Sequence, residues 1–300
     1  MGSSAIGVLC ESHEGRPIKV EGNPDHPASL GATGIFAQAE VLTLWDPTRS
    51  KTVLKDGGIS SWGALDTHLR ESRMRWLRTG GRGLRILTGL NISPTLDGQM
   101  DALLAEFPEA RWTQYEPVNR EELYEGTRIA FGRPLNPIYR FEQADVVVSL
   151  DSDFMRFGPG AEAYAKQFAL RRSGQGEMNR LYVAEPMPTV TGLMADERLP
   201  ARFSEIEGLA RALAGSPSDG NSWAAAAADD LSSHLGRCLV VAGDRQPPPV
   251  HALVHSLNAR LGAVGNTVVY TRPTHAPKAA NKAISPNSSR KCGRGKSRRW

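Results

Sequence analysis

Apolar positions along this chain alternate between short continuous runs and helical spacing, with glycine, proline and serine marking each change. Arg16 to Glu21 alternates as a strand does, and Gly22-Asn23-Pro24-Asp25 supplies turn residues. Ser60 and Ser61 are suitable caps for a helix through Arg78, with Trp62, Leu65, Leu69, Met74 and Leu77 available for one apolar side. Gly80-Gly81-Arg82-Gly83 breaks it, and Leu84 to Thr88 is expected to be a short buried strand. Ser93-Pro94-Thr95 opens a second helix through about Glu106. The pattern then recurs. Helices are expected at Arg120 to Ala130, Ala161 to Arg172, Ser204 to Ala214, Ser222 to Gly236 and Pro249 to Leu261. Strands are expected at Ala144 to Leu150 (ADVVVSL, the strongest), Leu181 to Glu185, Cys238 to Ala242 and Thr267 to Tyr270. Such alternation predicts an α/β fold of parallel βαβ units with helices on both faces.

The pattern also suggests boundaries. Residues 1–50 read as a hairpin followed by a loop, 51–214 as one α/β subdomain and 222–271 as an incomplete second one. Gly215 to Asn221 (GSPSDGN) is the expected connector. Residues 272–300 lose apolar periodicity and are expected to form a disordered basic tail.

Composition changes the picture in one respect. The 300 residues carry a formal net charge of +4, but nine of the 36 Lys and Arg lie in Arg272 to Trp300, which has no Asp or Glu. The rest has 27 basic against 32 acidic groups, a formal −5, so nucleic acid is not an expected partner. No apolar run approaches the length of about 18 residues that a membrane span needs, and the N-terminus shows no secretory signal. Cys10, Cys238 and Cys292 are far apart and form no Cys-x-x-Cys pair, so no metal site follows from them. Cys238 reads as a small buried hydrophobe.

Ligands of open α/β sheets bind at the carboxyl ends of the strands, so the loops there are the candidate chemistry. After the strongest strand come Asp151, Ser152 and Asp153, then Gly158-Pro159-Gly160. The acidic pair could face a metal or ribose hydroxyls, or it could be a solvated loop capping the next helix, the reading that helix-cap preferences favour. Glu185 could accept from ribose hydroxyls or simply end its strand, and Thr189 follows it in the same loop. Asp244 and Arg245 could pair with each other or face a ligand, and a structural turn is the favoured reading. His251 and His255 have the i, i+4 spacing of metal ligands, but no third ligand lies near them in the sequence, and a half-buried helix face is the favoured reading. No catalytic triad, phosphate-binding glycine loop or zinc-protease motif is present, and no catalytic residue is assigned.

Gly15 to Pro27 (GRPIKVEGNPDHP) resembles the N-terminal hairpin of the molybdopterin oxidoreductases. The resemblance extends over most of residues 6–271, through Trp112 to Pro117, Phe131-Gly132-Arg133 and ADVVVSL. NPDHPASLGAT, DPTRS, SLDSDF and AGDRQPP look like a divergent branch, the large iron–sulfur subunit of alternative complex III, a quinol:electron acceptor oxidoreductase. In the family a cysteine following this hairpin closes an iron–sulfur cluster; here Leu30 to Gly34 reads LGATG. Where catalytic members place the metal ligand, this chain has Gln114, a poor substitute for a thiolate. Cys10 is at best one of four cluster ligands.

The resemblance implies that Asp151, Ser152, Asp153, Glu185, Thr189 and Asp244 occupy degenerate positions of the pterin-dinucleotide loops. It further implies a scaffold without a molybdenum cofactor or cluster of its own. Catalytic relatives bind molybdopterin guanine dinucleotide, and clusters are expected in a further domain beyond these 300 residues. Expected partners are other subunits of a membrane-bound respiratory complex, at the periplasmic face of the bacterial inner membrane. Alternatives are a catalytic molybdopterin enzyme fragment with an unusual ligand set and a guanine-nucleotide-binding α/β module. The abrupt change after Thr271 suggests an incomplete or frame-shifted product.

Overall fold

A computed structural model describes residues 5–174, 176–215 and 221–273. The expected basic tail lies outside the described residues from 274 onward, as does most of the Gly215 to Asn221 connector. The described residues divide into two compact units, 42–118 and, discontinuously, 5–41 with 119–273.

Strands β1 (Val8–His13) and β2 (Arg16–Gly22) form the expected antiparallel hairpin. Glu14 and Gly15 turn it at positive φ. The stretch expected to be loop then forms helix α1 (Ile35–Thr43), a correction to the hairpin-plus-loop reading of residues 1–50. Its apolar residues Ile35, Phe36 and Leu42 are exposed, so no periodic buried stripe announces it in the sequence.

The first unit begins with a short hairpin, β3 (Val53–Lys55) and β4 (Gly58–Ser60). Helix α2 (Trp62–Leu77) is capped by the Ser61 side chain, which accepts from the Ala64 N–H. Strand β5 (Arg85–Thr88) pairs in parallel with β6 (Arg111–Gln114) across helix α3 (Pro94–Glu106), which Ser93 caps. β5 was expected to be buried; its residues alternate between exposed and half-buried, because only one neighbouring strand pairs with it.

The second unit resumes with α4 (Glu121–Phe131), β7 (Asn136–Tyr139), β8 (Val146–Leu150), α5 (Ala161–Leu170) and β9 (Arg180–Glu185). It continues through α6 (Val190–Leu193), β10 (Glu197–Pro200), α7 (Ile206–Leu213), α8 (Ser222–Ser233), β11 (Cys238–Ala242), α9 (Pro248–Arg260) and β12 (Val268–Thr271). Four parallel strands form its sheet in the order β10-β9-β8-β11. β11 therefore joins the sheet begun by β8, and residues 222–271 are not a separate subdomain. The buried run Leu239 to Ala242 needs a partner on a sheet, and β8 supplies it. β12 also departs from expectation: it pairs antiparallel with β7, outside the parallel sheet.

Alternation along the strands fills two cores. Val146, Val148, Leu150, Val240 and Ala242 meet α7, α8 and α9 on one face. Val147, Leu181, Val183, Leu239 and Val241 meet Phe141, Phe154 and Phe168 on the other. The free edge of β11 is closed by a side chain. Asn258 on α9 accepts from the Val240 N–H at 2.9 Å and donates to the Val240 carbonyl at 2.8 Å, occupying the place of a further strand.

Candidate functional site

Counted along the chain, the sheet order is third-second-first-fourth, so the connections reverse direction between β8 and β11. That is where open α/β sheets form a ligand crevice, at the carboxyl ends of the strands. Asp151, Ser152 and Asp153 follow β8, Glu185 and Thr189 follow β9, and Asp244 follows β11, so the topology brings all six candidates to one edge.

Each carboxylate there already has a partner. Glu185 is buried and accepts from Arg198 Nε at 2.7 Å, Thr189 Oγ1 at 2.7 Å and the Thr189 N–H at 3.2 Å. The same Thr189 hydroxyl accepts from the Gly192 N–H and caps α6. Asp153 accepts from the Thr191 N–H at 3.0 Å and Thr191 Oγ1 at 2.8 Å. Asp153 is thus bonded to the start of α6 rather than to the next helix, α5, whose N-terminus begins at Gly160 with no side-chain cap. Tertiary contact, rather than sequence adjacency, selects the helix that Asp153 serves.

Asp151 lies in the left-handed region, φ 58°, and accepts from Gln246 Nε2 at 2.8 Å. Burial raises its pKa, against the Gln246 hydrogen bond and the Arg245 charge, which lower it. Ser152 donates its N–H to Ser149 Oγ, and Ser149 Oγ in turn donates to the Ser152 carbonyl. Asp244 does not pair with Arg245, which is exposed; it accepts from Arg120 Nε at 3.2 Å, and Arg120 also donates to Asn136 Oδ1. Burial works against the Arg120 charge, but Asp244, Tyr124 and Tyr139 together outweigh it and hold the guanidinium pKa up.

These contacts test the fit of a dinucleotide. A pyrophosphate at such an edge needs free backbone N–H groups and close backbone approach. Here the N–H groups of Asp151, Ser152, Thr189, Thr191, Gly192 and Gly243 all bond within the protein. A Cβ built on Gly243 would lie 1.9 Å from the Asp151 carbonyl oxygen, so the loops flanking the crevice already touch. Carboxylates lining the same edge oppose an anionic group there, while the N-terminus of α5 at Gly160 has no side-chain cap.

His251 and His255 are fully buried, not half-buried, because α9 packs closely on α4. At Gly126 of α4 a Cβ would come within 2.3 Å of His251 Cβ. Burial lowers the His251 pKa to about 4 and that of His255 to about 3. Among the described residues no three His, Cys, Asp or Glu converge to hold a metal. In the other unit, Gln114 ends β6 with both side-chain amide atoms buried and without a hydrogen-bond partner. Arg120, Gln246, Arg198 and Thr191 complete the edge and were not read as its partners from the sequence. In the sequence, Gln246 lies in AGDRQPP and Thr191 in the loop that follows Glu185.

An open α/β domain of this strand order can be set beside known proteins. No family model matches the chain. It is 27% identical over 207 residues to the menaquinone reductase molybdopterin-binding-like subunit of Nitratidesulfovibrio vulgaris, covering 66% of this chain and 29% of that protein. The likeness is distant and partial, and it supports a molybdopterin-oxidoreductase-like family. The match spans less than a third of that relative's length.

Proposed function

We propose that this chain is a molybdopterin-oxidoreductase-like domain that serves as a scaffold in a quinone-linked electron-transfer assembly without holding a molybdenum cofactor itself. The observation that supports this reading is the self-satisfied carboxyl edge: Glu185, Asp153, Asp151 and Asp244 are each engaged by Arg198, Thr191, Gln246 and Arg120. The similarity to a protein named as a menaquinone reductase subunit supports the quinone link. In the finer form of the proposal, the assembly resembles alternative complex III, its clusters lie in another domain, and the chain sits at the periplasmic face of the inner membrane. No described helix is long and apolar enough to cross a membrane.

The test is to purify the tagged chain from membranes of its source. It should bring down a quinone-reactive oxidoreductase, and metal analysis of the separated chain should find no stoichiometric molybdenum. Molybdenum with a pterin at one equivalent would overturn the scaffold reading in favour of a catalytic fragment, and bound guanine nucleotide alone would favour a nucleotide-binding module.

A further inference from the structure

At the carboxyl edge of the sheet the loops engage Asp153 and Glu185 inside the protein and leave several large apolar side chains outside. Thr191 and Gly192 of α6 are buried against Asp153 and Glu185, which leaves Val190, Leu193 and Met194 exposed on the outer side of that turn. Leu193 is 76% exposed and Met187, in the loop before it, 65%. The β8 loop is tied to α6 by the Asp153–Thr191 bonds and by the Met155 N–H donating to Thr191 Oγ1, and it carries Phe157, 66% exposed. Isolated exposed apolar residues are ordinary; a group of large ones on loops bonded to one another marks a contact surface.

The charges at this edge are layered. The carboxylates are partnered beneath the surface, while Arg156, Arg202 and Arg245 are exposed, with Glu205 as the exposed acid among these loops. The Arg156 guanidinium lies 5.6 Å from the centre of the Phe157 ring. An arginine-bearing rim opposes a second copy of itself and suits an acidic one. Methionine adds an adaptable surface that packs on an irregular partner.

We propose that this edge is a docking surface for a neighbouring subunit whose contact region has an apolar centre and an acidic rim. This rests on the scaffold reading above. Mass-spectrometric footprinting with hydrogen peroxide tests it, on the isolated chain and on the assembly that the tagged chain brings down. Met187 and Met194 should oxidise at least about tenfold more slowly in the assembly. Met178, 58% exposed before β9 at the opposite edge of the sheet, should react equally in both. Leu193→Asp should lower recovery of the partner about tenfold with an unchanged melting temperature, since the side chain it replaces is exposed.

Equal reactivity of Met187 and Met194 inside an intact assembly would overturn the docking surface and leave the scaffold standing. A chain that enters no assembly would overturn both. Protection of these methionines in a homodimer of the isolated chain would overturn the proposed occupant.

Discussion

Asn119–Pro273 and Leu42–Val118 contain similar elements and differ in what those elements bury. In the first, all five residues of β8 and of β11 are buried, between two cores. In the second, the buried apolar residues are Met100, Phe107, Ala110 and Trp112, and the buried residue of the 16-residue helix α2 is Ser72. Yet α2 and α3 have better side-chain caps than α4, α5 or α9. Caps and propensity define where a helix starts; tertiary packing supplies most of its stability. Good local signals therefore need not mark the more stable region.

The largest expected contrast comes from truncating one aromatic residue in each unit. Phe141 is fully buried and stacks on Phe154 at 4.1 Å between ring centres, so Phe141→Ala should cost about 3–5 kcal/mol in urea unfolding. Trp62 is 77% exposed, and Trp62→Ala should change stability by no more than about 0.5 kcal/mol. Similar losses for the two would break the comparison.

Acid should separate the units next. His251 and His255 are buried with their Nε2 atoms unpartnered; Tyr270 faces His255 at 2.9 Å, Phe131 of α4 packs on its ring, and Asp244 and Arg120 act on His251. Their folded pKa values, about 4 and about 3, lie below the ordinary 6.5, so the unfolded chain binds protons first. The stability from these neutral rings is complete above about pH 6.5 and is lost as pH falls through the folded values. For His251 the full loss is on the order of 3 kcal/mol. Hydrogen exchange should show α4 and α9 losing protection between about pH 6.5 and 4, and His251→Phe should flatten that acid limb. Unchanged protection of α9 down to pH 4 would refute the linkage.

A smaller effect sharpens the account of the sheet. Asn258→Ala leaves the Val240 N–H and carbonyl without their side-chain partner and should cost about 2 kcal/mol. It also uncovers the β11 edge, so light scattering should detect more association than in the parent chain. A monomeric variant of unchanged stability would show that water satisfies that edge.

The sheet strands were legible because two-sided burial writes a continuous apolar run, as in VVVSL and CLVVA. The caps Ser61 and Ser93 were legible because the chemistry is local. α1 was not, since it buries no residue, and neither were β7 and β10, whose short runs contain proline. At the site, the loops and their acidic residues could be read from strand ends, but their partners could not. Asp244 and Arg120 are separated by 124 positions, and Asp151 and Gln246 by 95.

By itself the sequence determined the alternating α/β character, the loops that carry the candidate residues and the hairpin β1–β2. Only the tertiary structure decided that β11 completes the sheet of β8 and that the switch-point carboxylates are spent on Arg120, Arg198, Thr191 and Gln246. Local pattern is set by neighbours a few positions away. The fate of a charge is set by whichever group folding brings within hydrogen-bond reach.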